Sequence, residues 1–444
     1  MKEVELDFAF ERVAKTFLET VSDEGVEIVS HFDTDGITSA TIMMNALKRL
    51  DKKFSLKIVK SLTKEFIYSL DKNKTILFLD LASGSLEEIS NANLKKVFIL
   101  DHHELSTEEI PKNVEIINPH LFSGESLSSS ALTYLFCKKL DKKNEEFVKL
   151  AVLGMVGDML SEGVDFFKED IKKSVEVQMK RGILIYPSTR PVNKVLEFSS
   201  DPFIPEVTGN PLGVLDLLRE SGISPENKRY KTLLELDDDE TERLVTSIVL
   251  RNPEKKHDDL IGNLFLMKFF GKLEDARELS AKINACSREG RSDVALCFCN
   301  EVFDYKKKAE SIHTKYRQQL ISGINYAQKK AVLGKNYVLL NARDEIKDTM
   351  IGTISSILSN SSSYEEGTVV VGMSYSDEGK IKVSGRNVGR NGRNLRNFFR
   401  DVMEPFEGEV GGHHSAAGCL LNVEDEESFV ERVKKYLELE VVRM

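Results

Sequence analysis

A histidine and two aspartates alternate near the amino end of the chain. His31, Asp33 and Asp35 occupy every second position of the stretch "HFDTDG". Side chains two residues apart on a strand point to the same face, so these three groups are expected to crowd together at a strand end. Neighbouring carboxylates repel each other unless a cation neutralises them. By itself the stretch also fits an ordinary Asp-Gly turn, so a metal site is predicted only if other residues support it.

Polar residues also follow other apolar, strand-like runs. "KTILFLDL" ends near Asp80, and "KKVFILDHH" ends in Asp101, His102 and His103. Asp158 lies in the apolar run "LGMVGDML", which we expect to be helical, and a buried acid is costly unless it is paired or ligated. Because the carboxyl ends of parallel strands meet at one edge of a sheet, these residues predict one shared site. The predicted metal ligands are His31, Asp33, Asp35, Asp80, His102 and Asp158, with His103 beside them.

The donor types of this set indicate which metal it suits. Two divalent cations would neutralise its four aspartates, and two metals about 3.5–4 Å apart are the usual arrangement for in-line attack of an activated water on phosphorus. Mixed imidazole and carboxylate donors favour Mn²⁺ over Mg²⁺ or Ca²⁺, and the lack of a thiolate disfavours a closed zinc site. We therefore expect two divalent metal ions, with Mn²⁺ preferred and Mg²⁺ or Co²⁺ as alternatives.

The elements that must position these residues indicate an α/β fold. A helix from about Phe8 to Val21 precedes the strand "VEIVSH", and a second helix begins near Gly36. Further strand-like runs are "FSLKIVK", "KTILFLDL", "KKVFILDHH" and "VEIIN". Short buried strands separated by helices predict a parallel sheet with helices on both faces. This catalytic domain is expected to span residues 1–190.

The rest of the chain divides into three parts. Residues 187–275 are rich in proline and include the acidic run "LDDDETE", so we expect irregular structure there and treat 191–303 as a linker with a small inserted module. A long charged helix over 304–330 leads into a smaller α/β domain, residues 331–444. There "NYVLLNAR", "GTVVVGMSY" and "KIKVSGR" are predicted strands, and "GGHHSAAG" is a predicted glycine-rich turn. The active cleft is expected between the two domains.

Composition excludes several classes of protein. The net charge of −10, from 62 basic and 72 acidic residues, argues against nonspecific coating of nucleic acid but leaves room for a local basic patch. No apolar run approaches the roughly 18–20 residues that span a bilayer, and the N-terminus does not resemble a signal peptide. The five cysteines do not suggest a disulfide framework, and Cys297 and Cys299 are expected on a buried strand. These features predict a cytoplasmic protein that does not act at a membrane.

Basic and small residues cluster in the second domain. The stretch "KVSGRNVGRNGRNLRNFFRD" contains Arg386, Arg390, Arg393, Arg396 and Arg400. Guanidinium groups and the backbone N–H groups of glycine-rich loops both hold phosphates, although Arg396 and Arg400 equally fit an ordinary solvated helix. Arg386 differs, because it ends a strand directly before the glycine-rich segment. The small residues of "GGHHSAAG" would let a ligand approach the backbone closely.

Four of these motifs resemble, in order, those of the DHH phosphoesterase superfamily: "HFDTDG", "FLDLAS", "DHH" and "GMVGDM". The resemblance implies that Asp80 bridges the two metals. One metal would be held by His31, Asp33 and Asp80, and the other by Asp35, Asp80, His102 and Asp158. His103 would then lie beside the scissile phosphate, and Asp101 and Asp80 complete the expected catalytic residues.

Two further motifs indicate which members of this superfamily the chain resembles most. "GGHHSAAG" resembles the GGHxxAAG signature of the DHHA1 domain, and "INACSREGRSDVALCF" resembles the INAAGR element of RecJ-type nucleases. The implied phosphate or nucleic-acid contacts are Asn284, Arg288, Ser384, Arg386, Gly411, Gly412 and His413. Asn387 stands where the family often has serine. The compact form is most similar to the archaeal RecJ-like nucleases, some of which associate with the GINS replication complex.

The leading hypothesis is a Mn²⁺-dependent exonuclease acting at the end of single-stranded DNA or RNA, in DNA replication or repair or in RNA processing, with GINS or another replication protein as a partner. One alternative is a phosphodiesterase or phosphatase for short oligonucleotides or cyclic dinucleotides; the INAAGR-like element and the insertion count against it. Another is a replication-fork scaffold without metals, against which the complete ligand set counts. The sequence leaves open the direction of digestion, DNA or RNA preference, the oligomeric state, whether GINS or any other partner binds, and the role of residues 200–275.

Overall fold

The structure of the chain, a computed structural model, describes residues 2–21, 25–107, 109–122, 127–199, 202, 204–252, 257–360, 364–376, 379–389 and 391–439. The chain forms two compact units, each considered by itself below. The first comprises Met1–Val195, Leu218–Val249 and Glu254–His313, and the second Leu196–Leu217, Leu250–Pro253 and Thr314–Met444. Within the described ranges, no helix is both long enough and apolar enough to cross a membrane.

Helices and strands alternate in the first part of the chain, and the strands of a small second sheet follow further on, between helices in the sequence. In chain order the elements are α1 (Lys2–Thr20), β1 (Val26–His31), α2 (Thr34–Arg49), β2 (Phe54–Val59), α3 (Lys64–Tyr68), β3 (Thr75–Leu79), α4 (Leu86–Asn91), β4 (Lys96–Leu100), β5 (Val114–Ile117), α5 (Ser129–Leu140), α6 (Val148–Gly157), α7 (Lys168–Lys173), β6 (Val177–Ile183), α8 (Val192–Glu197), α9 (Pro211–Glu220), α10 (Asp238–Arg251), α11 (His257–Leu260), β7 (Ile261–Phe269), β8 (Lys272–Asp275), α12 (Ala276–Arg288), α13 (Ser292–Cys299) and α14 (Phe303–Lys330).

The first sheet is parallel throughout, as the sequence predicts, and its strand order is β2-β1-β3-β4-β5. Its central strands are apolar at nearly every position because helices cover both faces. Leu77 and Phe98 lie in the core on the face covered by α1, α2, α5 and α6. Phe78 and Ile99 lie in a second core with apolar residues of α3 and α4. This layering leaves the carboxyl ends of the strands as the open edge of the sheet.

Two expectations for the middle of the chain are wrong. Residues 187–275 are not irregular: they contain α8–α11, β7 and β8, and the apolar run at 261–269 is the central strand of an antiparallel sheet ordered β6-β7-β8. Pro191 directly precedes α8, and Pro211 is the first residue of α9, where proline is tolerated. Cys297 and Cys299 lie on helix α13 rather than on a strand, because a short apolar run does not distinguish the two.

The second unit contains a mixed sheet with strand order β13-β14-β12-β11-β10-β9. Its elements are β9 (Val332–Leu333), β10 (Tyr337–Asn341), α15 (Asp348–Ser359), β11 (Val369–Tyr375), β12 (Lys380–Asn387), α16 (Leu395–Met403), β13 (Gly408–Gly412), β14 (Ala416–Asn422) and α17 (Glu426–Leu439). The three predicted strands are confirmed as β10, β11 and β12. "GGHHSAAG" is more than a turn, because its ends belong to the paired strands β13 and β14.

Alternation along β12 separates two faces of this sheet. A Cβ built on Gly385 would lie 2.4 Å from the ring of Phe399, so this position faces α16 and has no room for a side chain. The flanking residue Arg386 reaches Ser356 of α15 on the opposite face. The pair Ser384 and Arg386 is therefore presented to α15.

Candidate metal centre and phosphate-binding residues

The carboxyl ends of β1, β3 and β4 meet at one edge of the first sheet, since Ser30 pairs with Leu79 and Leu79 pairs with Leu100. The residues that follow offer three groups of ligand atoms, each within 4.8 Å of one another. These groups are His31, Asp33 and Asp80; Asp35, Asp80, His102 and Asp158; and Asp80, His102 and His103. Asp80 is common to all three. The structure therefore brings together all the metal ligands predicted from the sequence.

The first group lies where β1 turns into α2. His31 Nδ1 is 2.9 Å from Asp33 Oδ2 and 3.3 Å from Asp80 Oδ2. Asp33 also caps α2, because its Oδ1 accepts the Gly36 N–H at 3.0 Å. A Cβ on Gly36 would lie 2.3 Å from the His31 carbonyl oxygen, so this close turn requires glycine. The cap fixes the Asp33 carboxylate with its other oxygen towards His31.

Asp35 is completely buried and is held by the start of another helix. Its two oxygens accept the N–H groups of Ser129 and Ser130, at 2.6 and 3.0 Å, in the first turn of α5. The partial positive charge of a helix N-terminus stabilises a carboxylate there. Burial, together with the charges of Asp158 and Asp80, still raises the pKa of Asp35 well above its usual value. The helix N-terminus alone therefore does not offset the cost of burying the Asp35 charge beside two other carboxylates.

Asp80 follows β3 with a left-handed φ of 61° and donates its N–H to the Leu100 carbonyl at 3.0 Å. Strain of this kind in a non-glycine residue is often found at functional sites. Asp80 Oδ1 lies 3.4 Å from His102 Nε2, which in turn lies 3.2 Å from Asp158 Oδ2. The expectation that Asp158 lies inside a helix needs correction, because α6 ends at Gly157 and Asp158 is its C-cap.

The donor atoms of the site fit divalent cations. Asp80 Oδ1 and His102 Nε2 are buried, and neither makes a hydrogen bond within the described part of the chain. Burial raises the pKa of Asp33. Burial acts to lower the pKa of His102, but the Asp158 and Asp80 carboxylates raise it to about 11. Without metal, the protonated His102 imidazole thus offsets part of the negative charge of Asp80 and Asp158. Divalent cations bound to these carboxylates would neutralise the same charge. Imidazole and carboxylate donors suit Mn²⁺ and Mg²⁺.

Asp101 and His103 form a supporting layer beside these ligands. Asp101 is fully buried and accepts the N–H groups of Ser83 and His102 at 2.9 and 2.8 Å. It also accepts the His103 Nδ1 proton at 2.7 Å, which leaves His103 Nε2 available. Asn118, which follows β5, donates to the His103 carbonyl and to Ser83 Oγ, each at 2.8 Å. Asp101 therefore orients the two histidines that follow it.

Helix α12 is hydrogen-bonded to Thr34, which lies in the segment from His31 to Asp35; this segment is called the metal-site loop below. Asn284, predicted to contact nucleic acid, accepts the Thr34 N–H through its Oδ1 at 3.0 Å. Thr34 Oγ1 donates to the Ser280 carbonyl at 3.1 Å. Arg288 is the last residue of α12 and is half-buried. The element that resembles INAAGR thus holds the backbone between Asp33 and Asp35 through Asn284.

In the second unit Arg386 lies in a polar pocket without a counterion. Its Nε donates to Ser356 Oγ at 2.9 Å, and its Nη1 donates to Ser384 Oγ at 3.1 Å and to the Gly385 carbonyl at 2.8 Å. Burial lowers the pKa of Arg386. No carboxylate pairs with it among the residues that the structure describes. A half-buried guanidinium without an acidic partner is suited to an anion such as phosphate.

The remaining predicted phosphate contacts lie on the β13–β14 hairpin. Gly412 has a φ of 119°, and a Cβ there would lie 2.4 Å from Ala417 Cα, so glycine is required. Gly411 is exposed and has no atom near its would-be Cβ. His413 donates its N–H to the Ala416 carbonyl at 2.8 Å and exposes its side chain. Asn387 donates to the Arg393 carbonyl at 2.8 Å and so holds the following loop; Arg390 lies outside the described residues.

Sequence reasoning missed several residues that support the site. The N–H groups of Ser129 and Ser130 were signalled by the run "LSSS" before a helix, which is typical of a helix start. Asn118 directly follows a predicted strand, in the same relation as Asp80 and Asp101 to theirs. Gly154 packs against Asp35, and a Cβ there would lie 2.5 Å from Asp35 Oδ1, but nothing in its local sequence indicates this contact.

The fold and the site together define an α/β protein whose parallel strands carry, at their carboxyl ends, a cluster of histidines and aspartates that could hold divalent metals. Family models match three parts of the chain: the DHH family N-terminal domain at residues 26–157, the DHH-CID domain at 185–259 and the DHHA1 domain at 334–439. The chain therefore contains a region similar to the DHH domain and a region similar to the DHHA1 domain, in that order. The DHH-CID match covers much of the segment for which the sequence offered no motif.

Relatives share this organisation over nearly the whole chain. The Methanocaldococcus jannaschii protein MJ0831 is 28% identical over 444 residues, covering 96% of this chain and 97% of the relative. RecJ from Thermus thermophilus, solved with Mn²⁺, is 16% identical with a TM-score of 0.59, and the match covers 96% of this chain but only 54% of RecJ. CDC45 from Entamoeba histolytica is 12% identical with a TM-score of 0.67, covering 97% of this chain and 98% of CDC45. The architecture is therefore RecJ-like.

Proposed function

We propose that this chain is a Mn²⁺-dependent phosphodiesterase that removes nucleotides from the end of single-stranded DNA or RNA. The observation that supports this most directly is the pair of ligand groups that share Asp80, with His31 and Asp33 on one side and Asp35, His102 and Asp158 on the other. Two divalent cations bound there would activate the attacking water and stabilise the charge that develops on the phosphate. Mn²⁺ is proposed first because of the donor set; Thermus thermophilus RecJ has been solved with Mn²⁺ and with Mg²⁺.

The chain's own residues have separate roles in this proposal. His103, whose Nδ1 proton is held by Asp101, presents Nε2 and is proposed to contact the scissile phosphate. Asp80 is proposed to hold both cations, which its left-handed backbone and unpartnered Oδ1 favour. Asn284 is proposed to orient the metal-site loop through the Thr34 amide. The reaction would therefore depend on side chains that follow β1, β3 and β4 and on residues of helices α2, α6 and α12 or their caps.

The substrate phosphate is proposed to be bound by residues that offer cationic or backbone donors. In the second unit, Ser384 and the half-buried Arg386 are proposed to bind one phosphate, and the exposed His413 offers a further donor. In the first unit, the half-buried Arg288 is proposed as a separate phosphate contact. Gly411 and Gly412 would allow close approach of a nucleotide to the backbone of the hairpin. Because these contacts address the phosphate and not the base edges, little base specificity is expected.

The decisive experiment measures hydrolysis of end-labelled single strands of DNA and RNA with Mn²⁺. Asp80→Ala and His102→Ala should each abolish cleavage while leaving the chain folded. A matched control is His120→Ala, which removes an exposed imidazole on the same unit outside the ligand groups. A dinucleotide substrate tested in parallel separates an exonuclease from an enzyme for short oligonucleotides. Normal hydrolysis by either ligand variant would overturn the proposed mechanism.

A second candidate is a scaffold at a replication fork, with GINS or another replication protein as the partner. The near-complete mutual coverage with CDC45 and the DHH-CID match favour it. The complete ligand set argues that catalysis accompanies any such role, because a pure scaffold has no need to retain buried, mutually repelling acids. Absence of hydrolysis with Mn²⁺, combined with capture of purified GINS, would favour the scaffold instead.

A further inference from the structure

Ser356 of α15 is held between two partners in the second unit. Its Oγ donates to the Gly352 carbonyl at 3.0 Å and accepts from Arg386 Nε at 2.9 Å. A serine hydroxyl has a single proton, and the bond to Gly352 uses it. Ser356 therefore has no proton to offer a bound anion, and its hydroxyl can serve only to hold the guanidinium.

The bonds of Arg386 leave one end of its guanidinium open. Nε and Nη1 bond to Ser356, Ser384 and the Gly385 carbonyl, whereas Nη2 makes no hydrogen bond within the described residues. Nη2 borders Gly352, where a Cβ would lie 3.7 Å from Nη2 and 3.3 Å from Ser384 Oγ. The missing side chain of Gly352 leaves space beside both donors.

We propose that Ser356 is a positioning residue that fixes the plane of the Arg386 guanidinium so that Nη2 is directed to a substrate phosphate. A guanidinium anchored only at Nη1 can rotate about its Cδ–Nε bond, and the second anchor at Nε removes that freedom. The inference rests on the proposed function and adds to it a residue that acts through Arg386 without touching the substrate. The chemical class that the pocket accepts is a phosphate monoester or diester.

The test measures equilibrium binding of a phosphorothioate-linked single-stranded tetranucleotide, together with KM and kcat for the cleavable strand. Ser356→Ala should weaken binding and raise KM about three- to tenfold, the net effect of one lost hydrogen bond of ordinary strength, with kcat changed less than about twofold. Ser356→Thr, which keeps the hydroxyl, should restore both. The control is Ser355→Ala on the same helix, whose hydroxyl is buried with no hydrogen-bond partner among described residues and lies against Gly372.

A double-mutant cycle separates positioning from a general structural effect. In an Arg386→Ala background, Ser356→Ala should have no further effect on binding, because it acts only through the guanidinium. If Arg386→Ala weakens binding but Ser356→Ala binds like Ser355→Ala, the positioning role is overturned while the proposed function stands. The positioning role is also overturned if the losses of binding caused by Arg386→Ala and Ser356→Ala multiply in the double variant. Failure of the wild-type chain to bind or cleave the strand would remove the proposed function and this inference with it.

Discussion

Gly154 is the position where a single methyl group should displace a predicted metal ligand. In Gly154→Ala, the new Cβ would lie 2.2 Å from Ser130 Oγ, 2.4 Å from Thr38 Oγ1 and 2.5 Å from Asp35 Oδ1. The hydroxyls can rotate away, but the Asp35 carboxylate is held by the amides of Ser129 and Ser130. To reach an ordinary contact of 3.4 Å, Oδ1 has to retreat by about 0.9 Å. Metal sites tolerate deviations of only about 0.2 Å in ligand distance.

The expected result is a loss of Mn²⁺ affinity of about 10- to 100-fold, or about 1.4–2.7 kcal/mol, the usual cost of disturbing the support of a ligand. Overpacking costs about 1–3 kcal/mol of folding stability, offset in part by about 1 kcal/mol from replacing a helical glycine. Isothermal titration of the metal-free chain with Mn²⁺ and thermal unfolding measure the two effects. Gly84→Ala is the control, because no atom lies within 4 Å of its Cβ. A folded Gly154→Ala chain that binds Mn²⁺ like the wild type would refute this reasoning.

Three further perturbations test other parts of the site. Asn118→Ala removes the bonds to Ser83 and the His103 carbonyl, each worth about 1 kcal/mol, so kcat should fall about tenfold; an unchanged kcat would contradict the supporting role. Burial acts to raise the pKa of Asp275, but Arg277 holds this pKa below its usual value. The ionised Asp275 therefore stabilises the folded chain at neutral pH, and this contribution is lost as pH falls through the lowered pKa. Asp275→Asn, which removes the charge that Arg277 contacts, should cost about 2 kcal/mol of unfolding free energy at pH 7. A difference in unfolding free energy between wild type and variant that did not shrink in acid would count against this account. Mn²⁺ at 100 times its Kd should stabilise the chain by about 2.7 kcal/mol, and a melting temperature indifferent to chelation would argue against a preformed site.

The parallel sheet and the strand-end motifs could be predicted because both depend on local sequence. Apolar runs such as residues 75–79 and 96–100 indicate strands buried on both faces, and the acids after them follow from chain order alone. The middle of the chain could not be predicted in the same way. Its apolar runs are short, and only packing decided that residues 261–269 form a strand while 292–299 form a helix.

The support of the site was hidden because its hydrogen bonds join distant parts of the chain. Asn284 and Thr34 are 250 residues apart, and Ser130 and Asp35 are 95 apart. Asn284 looked like a nucleic-acid contact because its motif suggested one, yet its Oδ1 accepts a backbone amide of the metal-site loop. No spacing rule in a single sequence identifies such partners.

The sequence by itself determined which imidazoles and carboxylates follow the strands, and from these residue types divalent cations and phosphate are the expected partners. Tertiary structure alone decided which atoms remain available for them. Capping turns Asp33 towards His31, α5 holds Asp35, and Asp101 leaves His103 Nε2 open. In the second unit Ser356 and Ser384 occupy two nitrogens of Arg386 and leave the third. A side-chain atom can bind a metal or a phosphate only if its lone pair or proton is not already used in a hydrogen bond within the fold. Some of those hydrogen bonds join residues that are far apart in sequence.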